Sequence, residues 1–347
     1  MSDVVAGLDG ATNFTAIGEI AVGRGAISGI AVSSDGGLLT ATHHGNDSVS
    51  LIKTLDGAVK LAVTDIEEPF AVAMSGRFAY VSSVSEAHDE VLAFDIGSER
   101  IVATYPVEFG VTDLVVSPNG RYVYAGRTGA ACAGVAILDT MTRKQEFVRI
   151  DASTVGCVRV SPDGRRLYVA ANSASAAQLV TVDTGRNCVI RAVGIGSPIR
   201  DIALSPNGAV ACVGSCDPDF GAVLDIVDTR NSTVNATYKV AEATGALAQL
   251  RLSRNGERAY LVGDQDVTVW STVTQDVLGS ITVGAQPSCV VESPDGVRLY
   301  IADYAGTVTV LDIAAEAPGE GFTPGDDWTA LPGWEFSDLW ALEPTLA

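Results

Sequence analysis

Short runs of alternating apolar and polar residues recur along the chain, and turn signals separate them. One unit begins with "CVRV" at 157–160, continues with "RLYVA" at 166–170 and reaches "QLVTVD" at 178–183. Alternation with a period of two favours β-strands, and an Asp-Gly or Asn-Gly pair between two such runs predicts a tight hairpin. A fourth run closes each unit, as in "ERIVATYPV" at 99–107. Each unit therefore predicts four short antiparallel strands.

The turn between the first two strands repeats as a phrase. "SPDGRRLYVA" at 161–170 has counterparts that start at Ser117, Ser205, Ser253 and Ser293. The turn glycines are Gly36, Gly120, Gly164, Gly208, Gly256 and Gly296. From Gly120 onward, successive turn glycines are 44, 44, 48 and 40 residues apart. A shortened turn at Gly76 fills the double gap after Gly36. Seven four-stranded units at this period are typical of β-propeller blades.

The two ends of the repeat predict how the ring closes. The seventh unit stops at "TVTVLDIAA" without its own fourth strand, whereas "FTAIGEIAVG" at 14–23 has the pattern of one. We expect residues 14–23 to complete the last blade, which removes the open sheet edges of a linear array. The predicted organisation is a lead at 1–13, one seven-bladed all-β propeller at 14–313, and an acidic, Trp-rich tail at 314–347.

The motifs resemble those of a known repeat family. The S-P-[DN]-G turns, the [LV]-Y-[VI]-A second strands and the V-x-V-x-D third strands are similar to bacterial YVTN-type β-propeller repeats over about residues 14–313. The resemblance implies the architecture, and it leaves function open, because related propellers include scaffolds, sugar lactonases and cofactor-bearing oxidoreductases. The aspartates that end the third strands are expected to cap the following turns; they are Asp95, Asp139, Asp183, Asp228 and Asp312.

Composition narrows the class of partner. The net charge is −20, from 42 acidic and 22 basic residues, so the chain should not bind nucleic acid or an anionic bilayer through bulk electrostatics. The sequence shows neither a basic leader with an apolar stretch nor an apolar run of membrane-spanning length, which predicts a cytoplasmic protein without membrane insertion. The six cysteines have no C-x-x-C spacing and are expected to be reduced thiols.

The two faces of a propeller should differ in charge. Loops between the second and third strands and loops between blades share one face, the long-loop face; the remaining hairpins share the other, the tight-turn face. Acidic residues concentrate in the long loops, which favours a cationic ligand or a basic protein patch, or else serves solubility alone; they are Asp47, Glu67, Glu68, Glu86, Asp89, Glu90, Glu108, Asp217, Asp219, Asp264, Asp266 and Asp303. A calcium ion in these loops is possible, and no other metal or cofactor is expected, because no complete EF-hand or three-histidine set is present.

The first strands should line the central channel, where polar residues are few. The polar channel residues are Asp113, Arg159, Asp201, Gln249 and Arg251. Together with Arg127 and Arg200 near the channel mouth, they form a candidate ligand site. Two interpretations stay open: these charges pair with each other around ordered water, or they bind a small ligand. A lactonase-like hydrolase would need Asp113 or Asp201, and the sequence pairs neither with a base.

The tail carries an apolar cluster of Trp328, Trp334, Phe336 and Trp340. Such side chains are costly to leave in water, so the tail should pack on its own propeller or bind another protein. The predicted function is a non-enzymatic protein-interaction scaffold with an unidentified protein partner. The alternatives are a channel-mouth hydrolase of the lactonase-like type and a small-ligand sensor.

Overall fold

A computed structural model shows seven antiparallel sheets arranged as blades around a ring. The described residues are 7–10, 13–84, 88–108, 110–129, 132–217, 221–240, 243 and 245–314. The first strands of successive blades contact each other in order, and the first strand of blade 7 contacts that of blade 1. The predicted all-β, seven-bladed propeller is therefore confirmed, with four sequential strands in each of blades 1 to 6.

Each blade is built from strands that follow one another along the chain, apart from the strands that the N-terminal segment adds. Blade 1 comprises Gly29–Val32, Leu38–His43, Ser48–Lys53 and Val59–Thr64, with a 3-10 turn at His44–Asn46. Blade 2 comprises Val72–Ser75, Phe78–Ser83, Asp89–Asp95 and Arg100–Val107; blade 3 comprises Val111–Val116, Tyr122–Thr128, Ala133–Asp139 and Gln145–Ile150. Blade 4 comprises Thr154–Val160, Arg166–Asn172, Ala177–Asp183 and Cys188–Ile195; blade 5 comprises Ile199–Leu204, Val210–Asp217, Gly221–Asp228 and Thr233–Val240. Blade 6 comprises Gln249–Leu252, Arg258–Val262, Val267–Ser271 and Val277–Thr282; blade 7 comprises Pro287–Glu292, Arg298–Asp303 and Thr307–Ile313.

The N-terminal segment closes the ring as expected. Phe14–Ala21 is the fourth strand of blade 7 and pairs antiparallel with Thr307–Ile313. One feature of the lead was not anticipated: Gly7–Asp9 pairs with Val277–Thr282 as a fifth strand of blade 6. The N-terminus thus contributes strands to two successive blades, which ties the last part of the ring to the first part of the chain.

The repeated phrase builds one hydrogen-bonded turn in six blades. In blade 4, the Ser161 hydroxyl donates to Asp163 Oδ1 at 2.6 Å and accepts the N–H of Arg166 at 3.0 Å. Asp163 Oδ1 also accepts the N–H of Arg165 at 3.0 Å. The turn glycine has φ of 72° in blade 4, a left-handed conformation that glycine adopts without steric cost. The turns that start at Ser33, Ser117, Ser205, Ser253 and Ser293 repeat these contacts.

The third strands end in the predicted caps, with one exception. Asp139 Oδ1 accepts the N–H groups of Met141 and Thr142 at 2.9 and 2.8 Å, and Asp95, Asp183 and Asp228 do the same in their blades. Asp312 differs because the fourth strand of its blade, Phe14–Ala21, comes from the N-terminal segment; Asp312 lies 3.7 Å from Arg298. Turn capping, as expected, therefore accounts for four of the five aspartates.

The hydrophobic core lies between neighbouring blades. Apolar clusters join each blade to the next around the ring, including the contact between blades 7 and 1. The second strands contribute fully buried tyrosines, among them Tyr168, Tyr260 and Tyr300. The fourth strands are largely exposed at the rim. Among the described residues, no helix is long and apolar enough to span a membrane.

Candidate functional site

The charged residues of the channel lie together on the first strands of blades 3 to 6. Arg159 is at the centre: Nη1 donates to Asp113 Oδ2 and Nη2 donates to Asp201 Oδ1, each at 2.5 Å. Arg251 Nη1 donates to Asp201 Oδ2 at 2.9 Å. Two carboxylates and two guanidinium groups thus form one continuous network with no net charge. We call it the channel network.

Backbone groups hold the same side chains in place. Asp113 Oδ2, Asp201 Oδ2 and Gln249 Oε1 each accept an N–H from the first strand of the following blade, at 3.0, 2.9 and 2.7 Å. The donors are the N–H groups of Val158, Leu250 and Val290, in that order. Arg159 also donates to the carbonyls of Val158 and Ile202. These bonds link successive blades, so the network satisfies buried backbone groups as well as its own charges.

Burial and charge shift the pKa values of the channel groups in different directions. Burial lowers the pKa of Arg159, but the adjacent Asp201 and Asp113 raise it by more, so the pKa lies above its usual value. Burial and the charge of Arg159 lower the pKa of Arg251. Burial, followed by the charge of Asp201, raises the pKa of the Cys157 thiol. The thiol is therefore neutral and the guanidinium of Arg159 stays charged.

The other side of the channel lacks charge. Blades 7, 1 and 2 carry Cys289, Gly29 and Ala71 where blades 3 and 5 carry Asp113 and Asp201. Burial raises the pKa of Cys289 to about 11. At these equivalent positions, the channel therefore has carboxylates on blades 3 and 5 and small, neutral residues on blades 7, 1 and 2.

The two other arginines of the candidate site lie apart from the channel network. Arg127, on the second strand of blade 3, is buried against Glu108, to which Nη2 donates at 2.8 Å, and its guanidinium lies 5.2 Å from the centre of the Phe147 ring. Arg200 is exposed at the start of a blade 5 strand. The structure brings together five of the seven predicted residues, and their role as a ligand site stays a prediction.

The long-loop face carries an aromatic patch that the sequence analysis did not single out. Phe70, in the loop between blades 1 and 2, is 48% exposed and meets His44 edge to face, with ring centroids 6.4 Å apart. Asp65, Glu67 and Glu68 are exposed on the same loop. We call these five residues the Phe70 patch. The available signal was the string "EEPF", an aromatic residue directly after acids in an inter-blade loop.

Hydrogen bonds from both neighbouring blades fix the backbone of this loop. The carbonyl of Phe70 accepts from Thr42 Oγ1 at 2.8 Å, and the carbonyl of Glu67 accepts from Ser83 Oγ at 2.9 Å. Asp47 Oδ1 accepts the N–H of Glu68 at 2.9 Å. The loop is thus held from blade 1 on one side and blade 2 on the other, and its side chains project from a preorganised backbone.

The histidines do not assemble a metal site in the described part of the chain. His43 is buried, with Nδ1 3.2 Å from the carbonyl of Gly25 and Nε2 3.0 Å from Ser50 Oγ. Burial lowers its pKa, so the ring is neutral at physiological pH. No group of three or more His, Cys, Asp or Glu side chains within the described ranges is placed to hold a metal ion. A calcium ion stays a prediction, since Glu86 and Asp219 are outside those ranges.

The predicted tail residues also fall outside the described residues. Trp328, Trp334, Phe336 and Trp340 belong to 315–347, the part of the chain after the last described position, Ala314. Their binding role stays a prediction.

Comparison with known proteins agrees with the fold. No family model matches the chain, so the likeness to YVTN-type repeats stays a resemblance. The hydrazine synthase of Kuenenia stuttgartiensis has a similar fold, with a TM-score of 0.75 and 19% identity over 83% of this chain and 96% of that one. The "Seven-bladed beta-propeller protein Rv1057" of Mycobacterium tuberculosis is 42% identical over 336 residues, 87% of this chain and 85% of that protein. The chain belongs to the family of seven-bladed β-propeller proteins that includes Rv1057.

Proposed function

We propose that this propeller is a non-enzymatic interaction protein that binds a basic surface of a protein partner through the Phe70 patch. One observation carries the proposal: Phe70 is half exposed beside three exposed carboxylates, on a loop fixed by partly buried hydrogen bonds. Aromatic residues, phenylalanine among them, are enriched at protein interfaces, and the rim of such interfaces is polar. The acids would select a partner rich in lysine or arginine and accelerate its association.

The rigidity of the loop supports this function energetically. Binding costs free energy when side chains and loops must be ordered, and a preorganised surface avoids part of that cost. The loop is already fixed through Thr42 and Ser83. Asp65 and Glu68 have φ of 65° and 42°, so the left-handed conformation that presents their carboxylates is set before a partner arrives.

The channel network supports a non-enzymatic role over the hydrolase alternative. A general base must have a free lone pair within reach of the substrate proton. Asp201 accepts from two guanidinium groups and from the N–H groups of Ile202 and Leu250. Asp113 accepts from Arg159 and from two backbone N–H groups. Both carboxylates are engaged in hydrogen bonds between neighbouring blades, which makes each a poor candidate for a general base.

Site-directed photo-crosslinking in the cell that produces the protein tests the proposal. A photo-reactive amino acid replaces Phe70 in the full chain, and a matched control carries it at Leu55, which is 89% exposed on the tight-turn face of the same blade. We expect a discrete adduct with a second protein from position 70 and none with that protein from position 55.

The three carboxylates of the Phe70 patch allow a second part of the experiment. Neutralising them with Asp65→Asn, Glu67→Gln and Glu68→Gln should reduce the adduct from position 70 by about tenfold or more, because the complementary charge is lost. The adduct partner should carry a basic surface. No adduct at position 70 in a folded protein, the same adduct at position 55, or full yield after neutralisation would contradict the proposal.

A further inference from the structure

A cleft opens between blades 3 and 4 on the tight-turn face, remote from the Phe70 patch and the channel network. Its volume is about 590 Å³, within the range of roughly 300–1,000 Å³ typical of ligand pockets. Tyr122 and Tyr124 form one wall, with ring centroids 6.4 Å apart, and the guanidinium of Arg121 lies 5.1 Å from the Tyr122 ring. Lys144 and Asn187 also line it. Asp139, Glu146 and Asp163 line it as well, and Arg121 is paired with Asp139. The cleft therefore combines an aromatic wall with charged groups of both signs.

The repeat shows why this cleft is open. The equivalent cleft between blades 4 and 5 has a volume of about 280 Å³. There Arg166 occupies the position of Tyr122, and its Nη1 crosses to the carbonyl of Thr229 at 2.9 Å. In blade 7, Arg298 makes the same crossing to the carbonyl of Thr54. Tyr122 makes no such crossing, so blade 3 has an aromatic wall where blades 4 and 7 have a bridging arginine.

The surface around the cleft is locally basic. Exposed cations outnumber exposed acids in the hairpins of blades 3 to 5; the cations are Arg121, Arg143, Lys144, Arg165, Arg186 and Arg230. The exposed acids there are Glu146 and Asp163, and both are engaged: Glu146 accepts from Asn187 Nδ2 at 2.6 Å, and Asp163 accepts from Ser161. An acidic, aromatic segment would match this surface in charge and in shape.

The chain itself contains such a segment. Residues 315–347 include seven acidic residues, no basic residue, three tryptophans and two phenylalanines. The chain reaches Ala314 on the tight-turn face, where Ala314 N–H donates to the carbonyl of Asn13 and Ile313 N–H donates to that of Val297. The segment therefore starts on the face that contains the cleft, and the acidic long-loop face would repel it.

The segment is long enough to reach the cleft from Ala314. Twenty residues separate Ala314 from Trp334, and an extended chain covers about 3.3 Å per residue, or roughly 66 Å. A compact domain of this size has a radius of gyration of about 19 Å and is thus about 50 Å across. A chain that leaves blade 7 can therefore cross the face to blades 3 and 4.

We propose that the acidic, Trp-rich segment 328–340 docks in cis in the cleft between blades 3 and 4, with an aromatic side chain against Tyr122 and Tyr124. The segment is then a strap across the tight-turn face rather than the binding site for a partner. This assignment is independent of the Phe70 patch, since the two surfaces lie on opposite faces.

Intramolecular photo-crosslinking of the full chain tests it. A photo-reactive amino acid replaces Phe336, and the purified protein is irradiated at low concentration and mapped by mass spectrometry. We expect a link within one chain to residues 117–124 or 184–190. Tyr122→Arg, which installs the arginine of the neighbouring cleft, should reduce that link by about tenfold or more; the control Arg166→Ala, which opens the cleft between blades 4 and 5, should leave it unchanged.

A second variant covers the case in which Tyr122→Arg fails to fold. Arg143→Glu with Lys144→Glu changes two exposed residues and should also weaken the link severalfold through charge repulsion. A link between two chains, a link to another blade, no link in the folded protein, or a link unaffected by these variants would overturn the proposal.

Discussion

The two faces of the propeller are built on different principles. On the tight-turn face, the hairpin between the first and second strands uses the same contacts in six of the seven blades. In the hairpin between the third and fourth strands, five left-handed non-glycine residues occupy the equivalent turn position of blades 2 to 6; they are Glu99, Arg143, Asn187, Ser232 and Gln275. On the long-loop face, the described left-handed non-glycine residues are Asp47, in the loop between the second and third strands of blade 1, and Asp65 and Glu68, in the loop between blades 1 and 2. The turns of the tight-turn face therefore repeat from blade to blade, whereas the left-handed non-glycine residues described on the long-loop face are confined to blade 1 and the loop that follows it.

This difference indicates how stability and function are divided. A turn that recurs in six blades serves a need that all blades share, which is to satisfy backbone groups and set the hairpin. Loops that differ between blades are free to carry binding, as loops on rigid scaffolds commonly do. We therefore expect changes in the ring, channel and repeated turns to lower stability, and changes in the Phe70 patch to alter binding alone.

The largest effect should follow from removing the strand that closes the ring. Deleting residues 1–23 exposes the edge of Thr307–Ile313 and removes the buried Phe14, Ile20 and Val22, at about 1.5–3 kcal/mol each. We expect a fall of at least about 5 kcal/mol in the free energy of unfolding, measured by chemical denaturation. Deleting only residues 1–6 is the control. An unchanged denaturation midpoint for the longer deletion would contradict the closure scheme on which both faces depend.

The next largest effect should come from the channel network. Asp201→Asn leaves Arg159 and Arg251 short of a buried partner, which typically costs about 3–5 kcal/mol. Asp113→Asn should cost less, because Asp113 pairs with one guanidinium and its side chain is 20% exposed, compared with 5% for Asp201. Equilibrium unfolding in urea measures both. Equal losses in the free energy of unfolding, or a negligible loss for Asp201→Asn, would argue that the channel network does not link the blades as described.

The repeated turn should contribute a smaller amount. Ser161→Ala removes the acceptor for the N–H of Arg166 and the donor to Asp163. Leaving a partly buried backbone group unsatisfied costs about 1–3 kcal/mol. Ser33→Ala should cost a similar amount, because blade 1 has the same turn. Two clearly different values would show that the turns are not interchangeable.

Acid should destabilise the tight-turn face in a defined pH range. The Ser161 hydroxyl, followed by the N–H of Arg165, lowers the pKa of Asp163 below its usual value. A carboxyl group with a lowered folded pKa stabilises the fold above its unfolded pKa of about 3.9, and the contribution is lost as the pH falls through the folded pKa. Asp163→Asn should therefore flatten the fall in stability below about pH 4 and leave its slope above pH 5 unchanged. Urea midpoints between pH 2.5 and 6 measure this slope, and an unaltered acid limb would contradict the assignment.

The smallest effect on stability should come from the Phe70 patch. Phe70→Ala with Asp65→Asn, Glu67→Gln and Glu68→Gln changes exposed side chains and leaves the backbone hydrogen bonds in place, so the free energy of unfolding should change by less than about 0.5 kcal/mol per site. Denaturation of this patch variant beside Ser161→Ala compares the two faces directly. A loss as large as that of Ser161→Ala would show that the patch is structural.

The repeat made the fold predictable from sequence. Regular spacing of the turn glycines fixed the number of blades, and the missing fourth strand after residue 313 indicated the closure. The pairing of Asp113, Arg159, Asp201 and Arg251 was one of the two interpretations that the sequence left open, and it rested on their places at two recurring positions of neighbouring first strands. The prediction of the fold succeeded because the relevant contacts recur in register from blade to blade.

Features that do not repeat were not predictable in the same way. Gly7–Asp9 has too few residues for an alternation signal, and its pairing depends on the end of blade 6. Arg127 matches the channel arginines in chemistry, but its place on a second strand turns it toward Glu108 and Phe147. Phe70 is one apolar residue in a loop, and its exposure depends on how two blades hold that loop.

The affinity of the partner recovered through position 70 tests the central claim most directly. It should be measured by titration with the wild-type chain, the patch variant and Arg251→Gln, which alters the channel while Arg159 still pairs with Asp201. The account predicts that the patch variant loses about 30-fold or more in affinity, equivalent to about 2 kcal/mol, and that Arg251→Gln binds as the wild type does. If Arg251→Gln weakens binding while the patch variant keeps full affinity, the result contradicts the central claim and indicates that the partner binds at the channel.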